Sequence, residues 1–101
     1  MPQPKSPAEE RLEALDAVFQ ALAHPARRQI LMTIHLRGGR VAAGDIAARF
    51  AHSWPTTTRH LGVLESSGLL EVKQEGRARI YSVRLDRLGV VKDWLAWFSR
   101  R

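Results

Sequence analysis

The sequence predicts a mainly α-helical fold with one small β-hairpin, and three observations carry that prediction. Apolar residues recur at three- and four-residue spacing along most of the chain, in stretches punctuated by proline at their starts and glycine at their ends. Two short segments, 70–75 and 78–83, alternate apolar and polar residues instead, with Gly76-Arg77 between them as a hairpin tip. At 101 residues and 45% hydrophobic composition, the chain has material for one domain with a modest core.

The elements follow in order. Met1-Pro2-Gln3-Pro4-Lys5-Ser6-Pro7 has no apolar core segment, which is unlike a secretory signal, and its three prolines predict a flexible arm over 1–7. Ser6-Pro7-Ala8-Glu9 resembles a capping box with proline at the first helical position. The helix it opens carries Leu12, Leu15, Phe19 and Leu22 and ends before Pro25. A second helix starts at Pro25 and carries Ile30, Leu31 and Ile34 to the stop at Gly38-Gly39. Arg40-Val41 reads as a very short strand. A third helix holds Ile46, Ala47 and Phe50, with Asp45 near its positive N-terminus. A tight turn at His52-Ser53 leads into a fourth, which stops at Ser66-Ser67-Gly68, and the last helix runs from about Asp86 to Phe98.

The fourth helix is the most informative. Ser53 is placed to cap it, and Pro55 fits a first turn, where a missing backbone N–H costs nothing. At about 100° per residue, Thr57, Leu61 and Leu64 share one side, and Pro55, Thr58, Arg59 and Gly62 share another. Such a helix packs inward through aliphatics and shows short polar groups and a cation outward, as a reader of base edges must. Two helices (43–50 and 54–67) joined by a short turn and followed by a ribbon (70–83) describe a winged helix-turn-helix. The expected fold therefore has about five helices, a two-stranded wing, and a DNA-binding and dimerisation domain over 8–101.

Charge agrees with this reading. Sixteen Lys and Arg against ten Asp and Glu leave a net charge of +6, which favours a polyanion such as nucleic acid, or an acidic membrane surface. There is no cysteine, so disulfides, thiolate catalysis and thiolate metal sites are excluded. The longest apolar runs are only a few residues, against the ~20 needed to span a bilayer. No phosphate loop or nucleophile–base motif is present, so an enzyme is not expected. The expectation is a cytoplasmic, nucleoid-associated protein with no membrane partner and no cofactor.

From Phe19 to about Phe98 the chain resembles the ArsR/SmtB family of bacterial winged-helix repressors. Ala21-Leu22-Ala23-His24-Pro25-Ala26-Arg27-Arg28 is similar to that family's Ala-Leu-Ala-Asp-Pro-Thr-Arg-Arg opening. Trp54-Pro55-Thr56-Thr57-Thr58-Arg59-His60-Leu61-Gly62-Val63-Leu64 is similar to its Gln-Pro-Thr-Val-Ser-Arg-His-Leu-Lys-Val-Leu recognition helix. Ser67-Gly68-Leu69-Leu70 and Glu75-Gly76-Arg77 match the approach to the wing and its tip. The resemblance implies a dimeric repressor on a double-stranded DNA operator; many members are released from DNA by metal ions. Here the metal-sensing pattern is missing. The family's Cys-Val-Cys pair falls on Ala42-Ala43-Gly44, and residues 86–98, where other members place Asp and His ligands, contain no histidine. Asp86 and Asp93 without imidazoles make a poor transition-metal site.

Arg59 is the first candidate for a base-edge contact, since arginine bonds guanine bidentately. Thr56 and Thr58 contact bases or phosphates, or else support the helix start. Trp54, where the family often has glutamine, either stacks on a sugar or thymine methyl or folds back near Leu61. His60 lies on the flank between the faces, open to a structural hydrogen bond or a DNA contact. Pro55 lies on the exposed face beside them. Arg77, Arg79 and, more weakly, Lys73 place charge on the wing for phosphates or the minor groove, though an exposed hairpin also carries charge for solubility. Arg27 and Arg28 are expected in intramolecular ion pairs, the alternative being contact with the DNA backbone. In the last helix Leu88, Val91, Leu95 and Phe98 form an apolar stripe that Val90, Trp94 and Trp97 widen. With Leu12, Leu15 and Phe19 it predicts a homodimer through the first and last helices, the alternative being a wholly intramolecular core. Two further readings stand beside a metal-independent repressor. One is a sensor of an unrecognised metal or small-molecule effector using His24, His35, His52 and His60; the other is a winged-helix protein-interaction module.

Overall fold

The computed structural model describes residues 3–50 and 53–100. Its elements run α1 (Pro7–Leu22), α2 (Pro25–Leu36), β1 (Arg40–Ala42), α3 (Ala43–Arg49), α4 (Trp54–Ser66), β2 (Leu70–Glu75), β3 (Ala78–Val83) and α5 (Leu85–Trp97). Pro7 opens α1 at the first helical position, as the capping-box pattern predicts. Ser6 Oγ accepts from the Glu9 N–H at 3.2 Å, and Lys5 Nζ lies 2.7 Å from the Glu13 carboxylate. His52 of the expected tight turn lies outside the described residues.

Three helices begin with proline in their first turn, each after a residue whose side chain caps the free N–H groups. Ser6 serves α1 and Ser53 serves α4. At α2 the cap is His24, whose Nδ1 accepts from the Ala26 N–H at 3.2 Å. The end of α4 is equally defined. Gly68 has φ +82°, Gly68 N–H bonds Glu65 C=O at 3.0 Å, and Leu69 N–H bonds Leu64 C=O at 3.0 Å. This is the Schellman pairing, which needs a residue at ease in the left-handed region. The chain leaves it directly into β2.

The sheet has one strand more than the ribbon expected. All three strands are antiparallel in the order β1-β3-β2. β1 covers the edge of β3 that would otherwise offer unpaired backbone groups, and Val41 stands opposite Tyr81 with both side chains buried. A single core joins Val18 and Ala21 of α1, Ile30, Leu31 and Ile34 of α2, Ile46 of α3, and Leu61 and Leu64 of α4 to Leu69, Leu70 and Tyr81. Phe50, just past the end of α3, packs against its side.

The arginines at the start of α2 do something other than the expected ion pairing. Arg27 donates from Nε to Ala21 C=O at 2.7 Å and from Nη2 to Gln20 C=O at 3.1 Å; Arg28 donates from Nη1 to Leu22 C=O at 2.7 Å. Among the described residues neither forms an ion pair. They satisfy the last carbonyls of α1, where a cation also meets the negative end of the helix dipole.

Candidate nucleic-acid interface

The two faces of α4 separate as the sequence predicts. Thr57, Leu61 and Leu64 are buried, whereas Pro55, Thr58, Arg59 and Gly62 are exposed. Ser53 Oγ accepts from the Thr56 N–H at 3.4 Å and donates to Thr56 Oγ1 at 3.0 Å, so Thr56 helps hold the helix start. The first turn of α4 contains no acidic residue, which leaves its positive end uncompensated and suited to a phosphate. Trp54 is 47% exposed, so it is not folded into the core. Arg59 stands over a groove of about 410 Å³ that α4 shares with Ala17 and Gln20 of α1. Among the described residues it makes no ion pair.

His60 is turned inward, as a structural hydrogen bond requires. It is 6% exposed, and its ring centroid lies 4.5 Å from that of His24. Arg27 Nη1 lies 3.4 Å from its Nδ1. A guanidinium only donates, so Nδ1 can take part in this contact only as an acceptor. Sequence spacing placed His60 between the faces; its neighbours on α2 decide the side.

On the wing, acidic charge is largely answered locally. The Arg40 guanidinium reaches both Glu75 oxygens at 2.7 Å, and Lys73 Nζ lies 3.8 Å from Glu71. Arg77 sits exposed at the tip and makes no ion pair among the described residues. Arg79 holds its guanidinium 5.8 Å from the Tyr81 ring centroid, within cation–π range. Among the described residues the wing thus presents Arg77 and Arg79 as cations without an ion pair, whereas Lys73 lies beside Glu71.

The other unusual surface is apolar. α5 buries none of its residues. Between it and α1 runs a groove of about 970 Å³ walled by Leu12, Leu15, Val90, Trp94, Trp97 and Phe98. Trp94 packs edge-on against Phe19 at 5.1 Å and against Phe98 at 5.0 Å. Leu88 and Val91 reach the core edge, but Leu12, Leu95, Trp97 and Phe98 are each more than half exposed. A wholly intramolecular core is therefore not what this stripe builds.

Sequence reasoning missed one close approach. A Cβ at Gly68 would lie 2.5 Å from Arg87 Nε, because the Arg87 side chain lies across the end of α4. Arg87 also lines the α1–α5 groove, so one residue touches both surfaces. No local sequence signal announces that contact.

The residues present do not fit a metal. Ala42, Ala43 and Gly44 have no donor side chains, and among the described residues no group of three or more His, Cys, Asp or Glu could hold an ion. His24 and His60 meet each other, His35 lines a separate cavity, and His52 is outside the described residues. No described helix is long and apolar enough to cross a membrane.

Comparison with known proteins gives concordant results. A family model described as a helix-turn-helix domain matches residues 22–73. The transcriptional repressor SdpR of Bacillus subtilis is 34% identical over 87 residues, covering 86% of this chain and 94% of that protein. A crystal structure of an ArsR family transcriptional regulator superposes with TM-score 0.76 at 31% identity, covering 98% of this chain and 100% of the other. The homodimeric winged helix-turn-helix DNA-binding domain of a possible ArsR-family regulator from Mycobacterium bovis, solved by solution NMR, gives TM-score 0.72 at 25% identity. That match covers 98% of this chain and 91% of the other.

Proposed function

The chain belongs to the ArsR family of winged helix-turn-helix transcriptional regulators, and from that premise we propose that it is a homodimeric, sequence-specific repressor that reads a palindromic operator without a metal site of its own. The observation that carries this reading is the division of α4, whose buried side holds Leu61 and Leu64 while its open side offers Thr58 and Arg59. Arg59 supplies the base-edge contact, with Thr58, Thr56 and Trp54 around it at the N-terminal end that enters the major groove. Arg77, Arg79 and Lys73 hold the flanking phosphates, which fix register without reading sequence. His60 serves from inside, fixing how α4 sits on α2.

The dimer forms by joining the two α1–α5 grooves about a two-fold axis, which buries Leu12, Trp94, Leu95, Trp97 and Phe98. It sets two copies of α4 about 34–36 Å apart, one turn of DNA. SdpR is named a repressor and the M. bovis domain is homodimeric; both properties agree with the role proposed here. The protein acts on the nucleoid, in the cytoplasm.

Selection from a random duplex pool at moderate salt, followed by sequencing, tests the proposal. The expected result is an enriched inverted repeat with half-sites about 10 base pairs apart, bound more weakly as salt rises. A pool that emerges without any enriched motif overturns it.

A further inference from the structure

Among the described residues three glycines lie within helices: Gly44 in α3, Gly62 in α4 and Gly89 in α5. Gly44 is the second residue of its helix, and Gly89 is half-buried. Gly62 is exposed in the middle of α4, and a Cβ placed there would meet nothing within 4 Å. No turn, close approach or packing neighbour among the described residues accounts for it. Glycine in an exposed helix interior is less stable than alanine, so the position carries a cost that the fold does not require.

The place of Gly62 on the helix points to what the gap serves. Thr58 lies four residues before it, Arg59 three before and Ser66 four after, and all are exposed on one face. The groove beside it, shared with Ala17 and Gln20 of α1, has no acidic residue in its lining. An α-helix with its side chains is about 10–12 Å across, and the DNA major groove is about 12 Å wide. A helix docked there has little room to spare.

We infer that Gly62 is a specificity-determining residue: its bare backbone lets α4 lie closer to the duplex than any side chain would allow. The inference rests on the regulatory reading, since it concerns the helix proposed to meet DNA. Closeness matters most for Thr58, whose short side chain reaches a base edge only when the helix sits deep. Where the family's recognition motif has lysine this chain has glycine, so the clearance belongs to this chain's own operator. A methyl group at position 62 strengthens the helix and holds it off the DNA. The two effects have opposite signs, and that makes the role separable from a structural one.

The test compares Gly62→Ala and Gly62→Leu with the parent by melting and by fluorescence anisotropy. The probes are the duplex that the parent enriches from the random pool and an unrelated duplex of the same length. Alanine and leucine both favour helix over glycine, so melting temperatures should rise, by about 4 °C for alanine. Operator affinity should nonetheless fall about tenfold for alanine and about 100-fold for leucine, because the added volume must fit a filled interface. Affinity for the unrelated duplex, held by charge, should stay within about twofold. Adding Thr58→Ala to Gly62→Leu should cost nothing further, since the hydroxyl is already out of reach. Operator affinity that holds or rises along with the melting temperature overturns the inference and leaves Gly62 a tolerated surface glycine. Equal losses on both duplexes also overturn it, because they mark a general obstruction and not a fit to the operator. A parent that enriches no motif fells the regulatory reading, and this inference with it; variants that bind like the parent fell the inference alone.

Discussion

Helices α4 and α5 are each 13 residues long, yet they are finished to different degrees. α4 begins on a side-chain cap, ends in a Schellman turn and buries four residues. α5 starts from Arg84 with no side-chain cap and buries none. Their outward faces differ in kind as well: hydroxyls and a guanidinium on α4, two tryptophans and two leucines on α5, with Phe98 just past its end. A face of the first kind is stable in water and is suited to a polyanion. One of the second kind is the sort of exposed apolar patch that marks an interface. The contrast teaches that a single chain completes the helix proposed as the reading head and leaves an apolar face open on the tail.

The comparison breaks most visibly if the tail proves indifferent to charge. In Leu12→Asp/Trp97→Asp both side chains are already 62% exposed, so the monomer fold should persist. Dimer dissociation should rise by at least about 100-fold, the loss of hot-spot aromatic contacts. Sedimentation equilibrium measures it, and a dimer of undiminished affinity would sink the assignment. On the head, Arg59→Ala should cost about 1–3 kcal/mol of operator binding and relax selectivity at one base-pair position. Equal loss on all sequences would instead make Arg59 a phosphate contact.

The smallest effects sharpen the contrast between the two helix starts. Ser53→Ala should cost about 1 kcal/mol of stability through the lost cap, read by thermal melting. At α5, the Arg84 guanidinium bonds Asp86 at 3.0 Å and holds its carboxyl below the usual range. A lowered folded value means the contribution is present above the ordinary carboxylate pKa and is lost as pH falls through the lowered one. Because Asp86 is exposed, the pair should add little, and Asp86→Asn should melt like the parent at neutral pH. A variant that melts clearly below the parent at neutral pH, with the difference vanishing in acid, would show that this corner carries more than a surface pair.

Much of the architecture was legible because punctuation and periodicity are local. Ser6-Pro7, His24-Pro25 and Ser53-Trp54-Pro55 mark helix starts, Gly38-Gly39 and Gly68 mark ends, and Gly76 marks the wing tip. The open and closed faces of α4 follow from helical geometry alone. What was not legible depends on residues far apart in the chain. Three residues at 40–42 could not announce that β3, some forty positions on, would pair with them. Whether Arg27 and Arg28 meet an acid or a carbonyl depends on where α1 stops against α2. His60, at the boundary between two faces, is placed by His24 and Arg27. The cavity beside Arg28 and His35 exists only once Val83 and Leu88 arrive from the other end of the sequence.

Arg27 joins two structures that would otherwise be only neighbours. It grips the last carbonyls of α1 and stands 3.4 Å from the His60 imidazole of α4. One guanidinium thus serves as a gauge block between the helix proposed to set where a second copy sits and the helix proposed to meet the base pairs. An operator is a ruler with marks at a fixed period, and a protein with a slack frame would tolerate half-sites moved by a base pair. On the proposed reading, a braced frame of this kind makes the spacing between half-sites as much a part of the recognised sequence as the bases themselves.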